Sequence, residues 1–214
     1  MSLGIPKVRF TFAGDEHMSW IEIEEFVFYD RMLLLFGVID PIATSKLIKL
    51  LFFLEYDDEY DSIYLYIKSP GGGAYEAIAI YDTMNAINPD VCTLVMGLAA
   101  SAASLVLTGG AAGKRVAFRH ARVMIHQPRI RSRFYERPGL LPFEEELMLD
   151  LRNTIADIYA KNTKKPLTVI QRDLDRDTFM SAKEAQAYGI IDYISLPPPK
   201  KEGVEKAVTK EEDD

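Results

Sequence analysis

The fold of this chain is decided by residues 91–108, which read VCTLVMGLAASAASLVLT. Val91–Met96 is a continuous apolar run, as expected for a strand that is buried on both faces. After a turn at Gly97, Ser101–Thr108 is predicted to form a buried helix. A buried strand that leads through a turn into a buried helix indicates an α/β fold, with Ser101 at the junction.

The same alternation of strand and helix extends along most of the chain. Strands are predicted at Met32–Phe36, Ile63–Ile67, Arg115–Phe118, Arg122–Ile125 and Ile190–Ile194. Helices are predicted at Pro41–Glu55, at Glu76–Ile87, at Phe143–Asn162, and from the Ser181–Glu184 capping box to Gly189. This alternation indicates a layered α/β domain with short βαβ steps.

Three regions differ in composition along the chain. Residues 1–19 contain turn residues without a clear hydrophobic period and are predicted to form an N-terminal arm. Residues 20–196 hold the alternating strands and helices of a single domain. Three prolines and a charged run make up most of residues 197–214, and this tail is expected to be disordered because it lacks apolar periodicity.

The composition excludes several classes of protein. The chain has 214 residues and a net charge of −7, with a pI of about 5.1, whereas a nucleic-acid-binding protein is expected to have a basic face. Its one cysteine, Cys92, permits no disulfide within the chain, which suits a reducing compartment. The sequence shows no signal-peptide segment and no metal-binding motif of paired cysteines or spaced histidines.

One stretch is long and apolar enough to raise the question of a membrane span. Asp90 and Lys114 enclose 23 uncharged residues, a length that could cross a bilayer. Four glycines interrupt this stretch, and it divides at Gly97. A buried strand and helix are therefore expected, and no membrane span.

Ser101 and His126 are the candidate nucleophile and general base. Each lies at the end of an apolar run, and the small neighbours of Ser101 leave its hydroxyl accessible. Each residue also has a simpler interpretation when taken alone. A serine is favoured as a helix N-cap, and a lone histidine after a strand is often a core or turn residue.

Two further segments could complete such a site. Ser69–Gly73 reads SPGGG after a predicted central strand, and consecutive glycines can expose a backbone N–H to an oxyanion or to a bound peptide. Arg172–Phe179 contains three carboxylates, any of which could orient a histidine. A plain turn and a solvated, salt-bridged turn are the alternative interpretations.

Together these segments resemble one family, the ClpP caseinolytic peptidases. The similarity runs from about Ile21 to Ile194 in one colinear register. Within the family the chain is most similar to the plastid-encoded branch of land plants and algae. The matching segments are YLYIKSPGG at 64–72, IYDTM at 80–84, MGLAAS at 96–101, ARVMIHQP at 121–128 and RDTFMSA at 176–182.

This resemblance implies a ClpP/crotonase-like fold of repeated ββα units, with a protruding handle at about 129–162 and an axial loop region within residues 1–19. It also implies the activity of a serine endopeptidase. Ser101 matches the nucleophile, His126 the general base and Asp177 the acid of the triad. The backbone N–H groups of Gly72 and Ala102 match the oxyanion hole.

Further roles follow from the same resemblance. A substrate strand is expected to pair with the backbone of Gly71, Gly73 and Ala74. Asp175 and Arg176 are expected to contact a second ring. The apolar stripe of the handle helix is expected to pack against the handles of that ring; its members are Phe143, Leu147, Leu151, Ile155 and Ile158.

The chain departs from the family pattern near the nucleophile. Ala102 replaces the usual methionine, and Ala103 replaces the usual glycine. The segment Arg129–Arg133 is basic where small residues are usual. These departures leave open a catalytically idle structural subunit of the same complex as an alternative. A crotonase-type acyl-CoA enzyme, which shares the broad fold, is a more distant one.

The resemblance also implies partners and a location. Two seven-membered rings would enclose unfolded protein substrates, and the rings would contain other ClpP subunits and non-catalytic ClpR-type subunits. A ClpC-type AAA+ chaperone would use the ATP, so no cofactor is expected in this chain, and neither nucleic acid nor membrane is an expected partner. The expected location is the chloroplast stroma, with a bacterial cytoplasm as the alternative.

Overall fold

The computed structural model describes residues 6–11, 18–129 and 141–195. Its strands are β1 (Lys7–Phe10), β2 (Ser19–Glu22), β3 (Met32–Ile39), β4 (Ile63–Gly72), β5 (Val91–Ala100), β6 (Arg115–Phe118), β7 (Arg122–Ile125), β8 (Thr178–Ser181) and β9 (Tyr193–Ser195). Its helices are α1 (Ile23–Tyr29), α2 (Pro41–Asp57), α3 (Ala74–Ala86), α4 (Ala102–Thr108), α5 (Leu141–Thr163), α6 (Leu167–Leu174) and α7 (Ala182–Tyr188).

Seven of the described strands form one sheet around β5. Strands β3-β4-β5-β6-β9 lie side by side and are parallel. The first half of β5 pairs with β6, and its second half, Leu98–Ala100, pairs with β7. Strand β8 then runs antiparallel to β7. This layout confirms the expected α/β fold and brings the ends of β5 and β7 to the same edge.

One face of the sheet is the core face. Burial alternates along β4, with Ile63, Leu65 and Ile67 fully buried, as expected for a strand covered on one side. Helices α2, α3 and α4 cover this face and contribute buried side chains such as Leu51 and Ile80. Residues Ile63–Ile67 are apolar at every position, a pattern that predicts burial on both faces, and this prediction is wrong because Tyr64 is 42% exposed.

The opposite face of the sheet has an apolar row that the described residues cover only in part. Leu34, Tyr66, Leu94, Val116 and Tyr193 stand in register across β3, β4, β5, β6 and β9. Leu34 is 48% exposed and Tyr193 is 60% exposed. The aromatic residues at 64 and 66 therefore point outward and do not belong to the core.

Two strands extend beyond the glycines that were expected to end them. Strand β4 continues through SPGG to Gly72, and β5 continues through Gly97 to Ala100. The pairing registers shift between Phe36 and Val38 and between Ile67 and Ser69, so bulges absorb the irregular backbone. Gly71 and Gly97 have φ of +96° and +76°, which a bulged strand tolerates at glycine.

Other differences lie towards the two ends of the chain. The N-terminal arm contains β1, which pairs antiparallel with β2, although its sequence has no clear period. Helices α1 and α6 and strand β8 were not predicted, and the last strand begins at Tyr193 rather than Ile190. The capping box at Ser181 and the left-handed Gly189 are present as expected. The tail at 197–214 lies outside the described residues.

The handle helix differs from its expected role. Helix α5 spans Leu141–Thr163, and residues 130–140 before it lie outside the description. Leu151 and Ile155 are each 6% exposed and pack in the core of this subunit, so they are not available to an opposing ring. Among the stripe members whose side chains the structure describes, Leu147 is the exposed one, at 54%.

Candidate active site

Ser101 occupies the sharp turn between β5 and α4. Its backbone has φ +56° and ψ −126°, a combination that residues other than glycine rarely adopt. Such a conformation costs on the order of 1–3 kcal/mol and clusters at functional sites. The Ser101 side chain makes no capping hydrogen bond to α4, so the helix-cap interpretation does not describe it.

His126 follows β7 and reaches the Ser101 hydroxyl. The His126 Nε2 atom lies 2.7 Å from Ser101 Oγ. Because β7 runs parallel to the end of β5, with Met124 beside Ala100, the two strands deliver both side chains to one edge. The Ser101 backbone N–H also donates to the Met124 carbonyl at 2.8 Å, which fixes the turn against β7.

Asp177 completes a line of three side chains. It directly precedes β8, whose Thr178 pairs with Ile125 at the end of β7, so the strand pairing places Asp177 beside His126. The Asp177 Oδ1 atom lies 2.9 Å from His126 Nδ1. A carboxylate accepts from Nδ1–H, which leaves Nε2 as the acceptor for the Ser101 hydroxyl.

The structure distinguishes among the three carboxylates of the Arg172–Phe179 segment. Asp173 accepts from the Tyr188 hydroxyl at 3.0 Å and pairs with Arg172. Asp175 is bound to Arg152 of α5 at 2.7 Å. Asp177 is the one of the three that contacts His126.

Gly71 lies against the turn that bears Ser101. A Cβ atom on Gly71 would lie 2.6 Å from the Ala100 carbonyl oxygen and 2.9 Å from Ser101 Cβ, so this backbone can approach only as glycine. The Gly73 N–H donates to the Ile39 carbonyl on β3. Gly72 itself pairs with Ile39 of β3, and a Cβ atom on Gly72 would meet the Ile39 backbone, so the role of its N–H as an oxyanion donor stays a prediction.

Ala102 is the first residue of α4, and its side chain is 9% exposed. The N–H groups of a first helical turn have no partner within the helix. Ala102 is the residue directly after Ser101, the candidate nucleophile, so its N–H lies next to the reacting side chain in the sequence. The Ala102 N–H therefore has no acceptor within α4, as its expected role in an oxyanion hole requires.

The expected substrate-pairing residues lie beside this turn. Gly71 is in β4 and Ala74 is the first residue of α3. The Gly73 N–H donates to the Ile39 carbonyl, and the Gly73 carbonyl accepts from the Ala77 N–H. Its N–H is therefore engaged within the chain, and a substrate strand would need to pair elsewhere along 71–74.

The two expected inter-ring residues lie between α6 and β8. Arg176 is exposed, whereas Asp175 already has an ion-pair partner, Arg152, in its own subunit. A contact between rings at this point stays a prediction.

Arg129 is a site residue whose contact the sequence did not reveal. Its Nη2 atom lies 2.6 Å from Asp177 Oδ1, the oxygen that also binds His126. The sequence showed a basic segment after Pro128, but nothing in it indicated that the first arginine reaches the acid. The signal was the unusual charge in a segment where the family has small residues.

The described residues provide neither a metal site nor a membrane span. Among residues 6–11, 18–129 and 141–195, no cluster of three or more histidine, cysteine, aspartate or glutamate side chains could hold a metal ion. Within the same part of the chain, no helix combines the length and apolarity needed to cross a membrane.

The sequence is similar to that of known proteins over most of its length. The sequence matches the Clp protease family over residues 14–197. The ATP-dependent Clp protease proteolytic subunit of Nicotiana tabacum is 47% identical over 197 residues, which cover 92% of this chain and 100% of the relative. The chloroplastic ATP-dependent Clp protease proteolytic subunit 1 of Arabidopsis thaliana has the same identity and coverage. The resemblance drawn from the sequence motifs is confirmed, and the chain belongs to the Clp protease family.

Proposed function

We propose that this chain is a proteolytic subunit of a Clp-type protease and that it acts as a serine endopeptidase. The observation that supports this most strongly is the line of hydrogen bonds from Ser101 Oγ through His126 to Asp177, at 2.7 Å and 2.9 Å. An idle subunit would have no need of this alignment. The alignment also has no purpose in a crotonase-type enzyme, which uses an oxyanion hole without such a pair.

The first half of the reaction forms an acyl-enzyme. Ser101 Oγ attacks the carbonyl carbon of the scissile peptide bond while His126 Nε2 takes the hydroxyl proton. Asp177 holds the imidazole by its Nδ1–H and stabilises the imidazolium that forms. The tetrahedral intermediate then expels the amine, which receives the proton from His126, and the ester to Ser101 remains.

The second half of the reaction releases the peptide. His126 takes a proton from water, and the resulting hydroxide attacks the ester carbonyl. The intermediate collapses, His126 returns the proton to Ser101 Oγ, and the product leaves as a carboxylic acid. The enzyme ends the cycle in its starting state.

The Gly72 and Ala102 N–H groups are proposed to form the oxyanion hole. Removing one such donor in a serine peptidase costs about 10²–10³ in kcat. Both proposed donors are backbone groups, so replacement of the usual methionine by Ala102 leaves the donor in place. The smaller side chain leaves less bulk next to Ser101, and Arg129 adds a positive charge at Asp177.

Assembly with other subunits is supported by the uncovered face of the sheet. The apolar row that runs across the sheet from Leu34 to Tyr193 is at least partly exposed. On β3, next to Leu34, Phe36 is 46% exposed and Val38 is 55% exposed. Extended apolar surfaces of this kind usually contact another protein. We propose that other Clp subunits of a two-ring particle cover part of it, including ClpR-type subunits.

The remaining roles of the complex fall to partners. An ATP-driven ClpC-type chaperone would unfold substrates and deliver them, so ATP would be used by that partner. A chloroplast stromal location is proposed because the Arabidopsis thaliana relative is named as chloroplastic.

The test of the proposed activity is hydrolysis of a fluorogenic peptide by the purified particle that contains this chain. Ser101→Ala should abolish the hydrolysis attributable to this subunit while native mass shows unchanged assembly. Residual hydrolysis at the wild-type rate would assign the chain to the idle, structural class.

A further inference from the structure

A buried polar contact links helix α5 to the turn that bears Ser101. Tyr159 of α5 is 2% exposed, and its hydroxyl lies 2.7 Å from Ser104 Oγ. Ser104 is itself fully buried in α4, three residues after Ser101. A buried polar pair of this kind has high energetic weight because water cannot replace either partner.

Ser104 connects three elements through one hydroxyl. Its Oγ lies 2.7 Å from the Ser101 carbonyl oxygen and 2.8 Å from the Met124 carbonyl oxygen, in addition to the Tyr159 contact. Its backbone N–H also donates to the Ser101 carbonyl at 2.9 Å. Met124 lies two residues before His126, so the same hydroxyl contacts both the nucleophile turn and the strand that bears the base.

The direction of each hydrogen bond follows from the number of protons. A serine hydroxyl has one proton, and carbonyl oxygens can only accept. The Ser104 proton is therefore directed at the two carbonyls of Ser101 and Met124. The Tyr159 hydroxyl must then donate to Ser104 Oγ, and this bond fixes the rotamer in which Ser104 reaches both carbonyls.

The tyrosine is suited to remain a donor. Burial raises the pKa of the Tyr159 phenol, and the hydrogen bond with Ser104 opposes that effect only in part. The phenol therefore stays protonated across the neutral pH range. The hydrogen bond that Tyr159 donates to Ser104 should therefore not change with pH across the neutral range in which a serine peptidase is assayed.

We infer that Tyr159 is a positioning residue for the reaction, which acts through Ser104 to hold the Ser101 turn at the correct distance from His126. The inference rests on the proposed serine peptidase function. The Ser101 turn adopts a backbone conformation that only its surroundings can maintain. Tyr159 supplies part of that restraint from α5.

Three variants test the inference in the full-length chain within its assembled particle. Tyr159→Phe retains the ring but removes the hydroxyl, and Ser104→Ala removes the residue that it contacts. Tyr81→Phe is the matched control, because the buried Tyr81 hydroxyl accepts a hydrogen bond from Asn162 of the same helix but has no contact with Ser104. Each variant is measured for kcat, KM, thermal midpoint and the rate at which a fluorophosphonate probe labels Ser101.

The expected result is a specific loss of reactivity. Tyr159→Phe should lower kcat and the labelling rate by about tenfold or more, since small misplacements of reacting groups have effects of this size, and should leave KM within about twofold. Tyr81→Phe should leave both rates unchanged. The double variant Tyr159→Phe/Ser104→Ala should lose no more than Ser104→Ala alone, because both changes break one network.

Three outcomes would overturn the inference. These are wild-type rates in Tyr159→Phe, an equal loss in Tyr81→Phe, or fully additive losses in the double variant. If the wild-type chain in the particle were itself never labelled, the proposed function would fail instead. A reactive wild type beside an equally reactive Tyr159→Phe would reject only the role of the tyrosine.

Discussion

Arg129 and His126 bind the same oxygen of Asp177. Arg129 Nη2 lies 2.6 Å and His126 Nδ1 lies 2.9 Å from Asp177 Oδ1. A carboxylate oxygen can accept both hydrogen bonds, because it has two lone pairs. Arg129 thus restrains the orientation of the carboxylate that orients the base.

The first prediction concerns this restraint. The side chains of Arg129 and Asp177 are 55% and 43% exposed, so the pair should contribute about 0.2–1 kcal/mol. Arg129→Ala should therefore lower kcat/KM by at most about fivefold, and Arg129→Gln, which retains a donor, should lose less. High salt should reduce the difference from wild type, because it screens the ion pair. A faster Arg129→Ala enzyme would show that the cation opposes catalysis.

The second prediction distinguishes Asp177 from its neighbours. Asp177→Asn should lower kcat by about 10⁴, because an amide favours the wrong tautomer of His126. Asp173→Asn is the matched control, since Asp173 lies in the same segment but binds Tyr188 and Arg172. It should retain most of the activity. The kcat of each variant is measured by peptide hydrolysis at saturating substrate. An equal loss of kcat in Asp177→Asn and Asp173→Asn would contradict the assignment of Asp177.

The third prediction concerns the close approach at Gly71. Gly71→Ala places a methyl group against the Ala100 carbonyl and Ser101 Cβ, in addition to the cost of its positive φ. Gly113→Ala is the control, because Gly113 also has a positive φ, +78°, but has no atom within 4 Å of its Cβ position. Gly71→Ala should abolish probe labelling of Ser101, while Gly113→Ala should lower only the thermal midpoint.

The fourth prediction concerns helix α5 and assembly. Leu147 is 54% exposed and Leu151 is 6% exposed on the same helix. Leu147→Asp should leave the subunit folded but separate double rings into single rings, which native mass spectrometry detects. Leu151→Asp should instead destabilise the subunit, because it buries an unpaired charge. Intact double rings in the Leu147→Asp variant would contradict the role proposed for this face.

The sequence motifs named three candidate site residues that the fold brings together, but they missed several details of the fold. The three site residues at 101, 126 and 177 come from separate segments, and the strand pairings of β5, β7 and β8 bring them together. The family motifs identify these residues without any structural information. Residue types alone could not choose Asp177 among three acids, because that choice depends on the register of β7 against β8.

The differences in the fold have definite physical causes. Gly71 and Gly97 suggested strand ends, but bulges let the sheet continue through them. Tyr66 made β4 look buried on both faces. Composition alone cannot distinguish an apolar residue that points outward from one that points into the core. The Arg129 and Tyr159 contacts depend on tertiary packing over long sequence distances, so no local pattern could indicate them.

The most direct test of the account is to identify which residue of this chain a fluorophosphonate modifies in the assembled particle. Trypsin should release residues 69–114 as one peptide, which contains Ser69, Ser101 and Ser104. Tandem mass spectrometry can then distinguish the three serine hydroxyls from one another. The account predicts modification at Ser101 alone, and none after Ser101→Ala. Modification at Ser69 or Ser104, or persistent labelling of the Ser101→Ala chain, would contradict it.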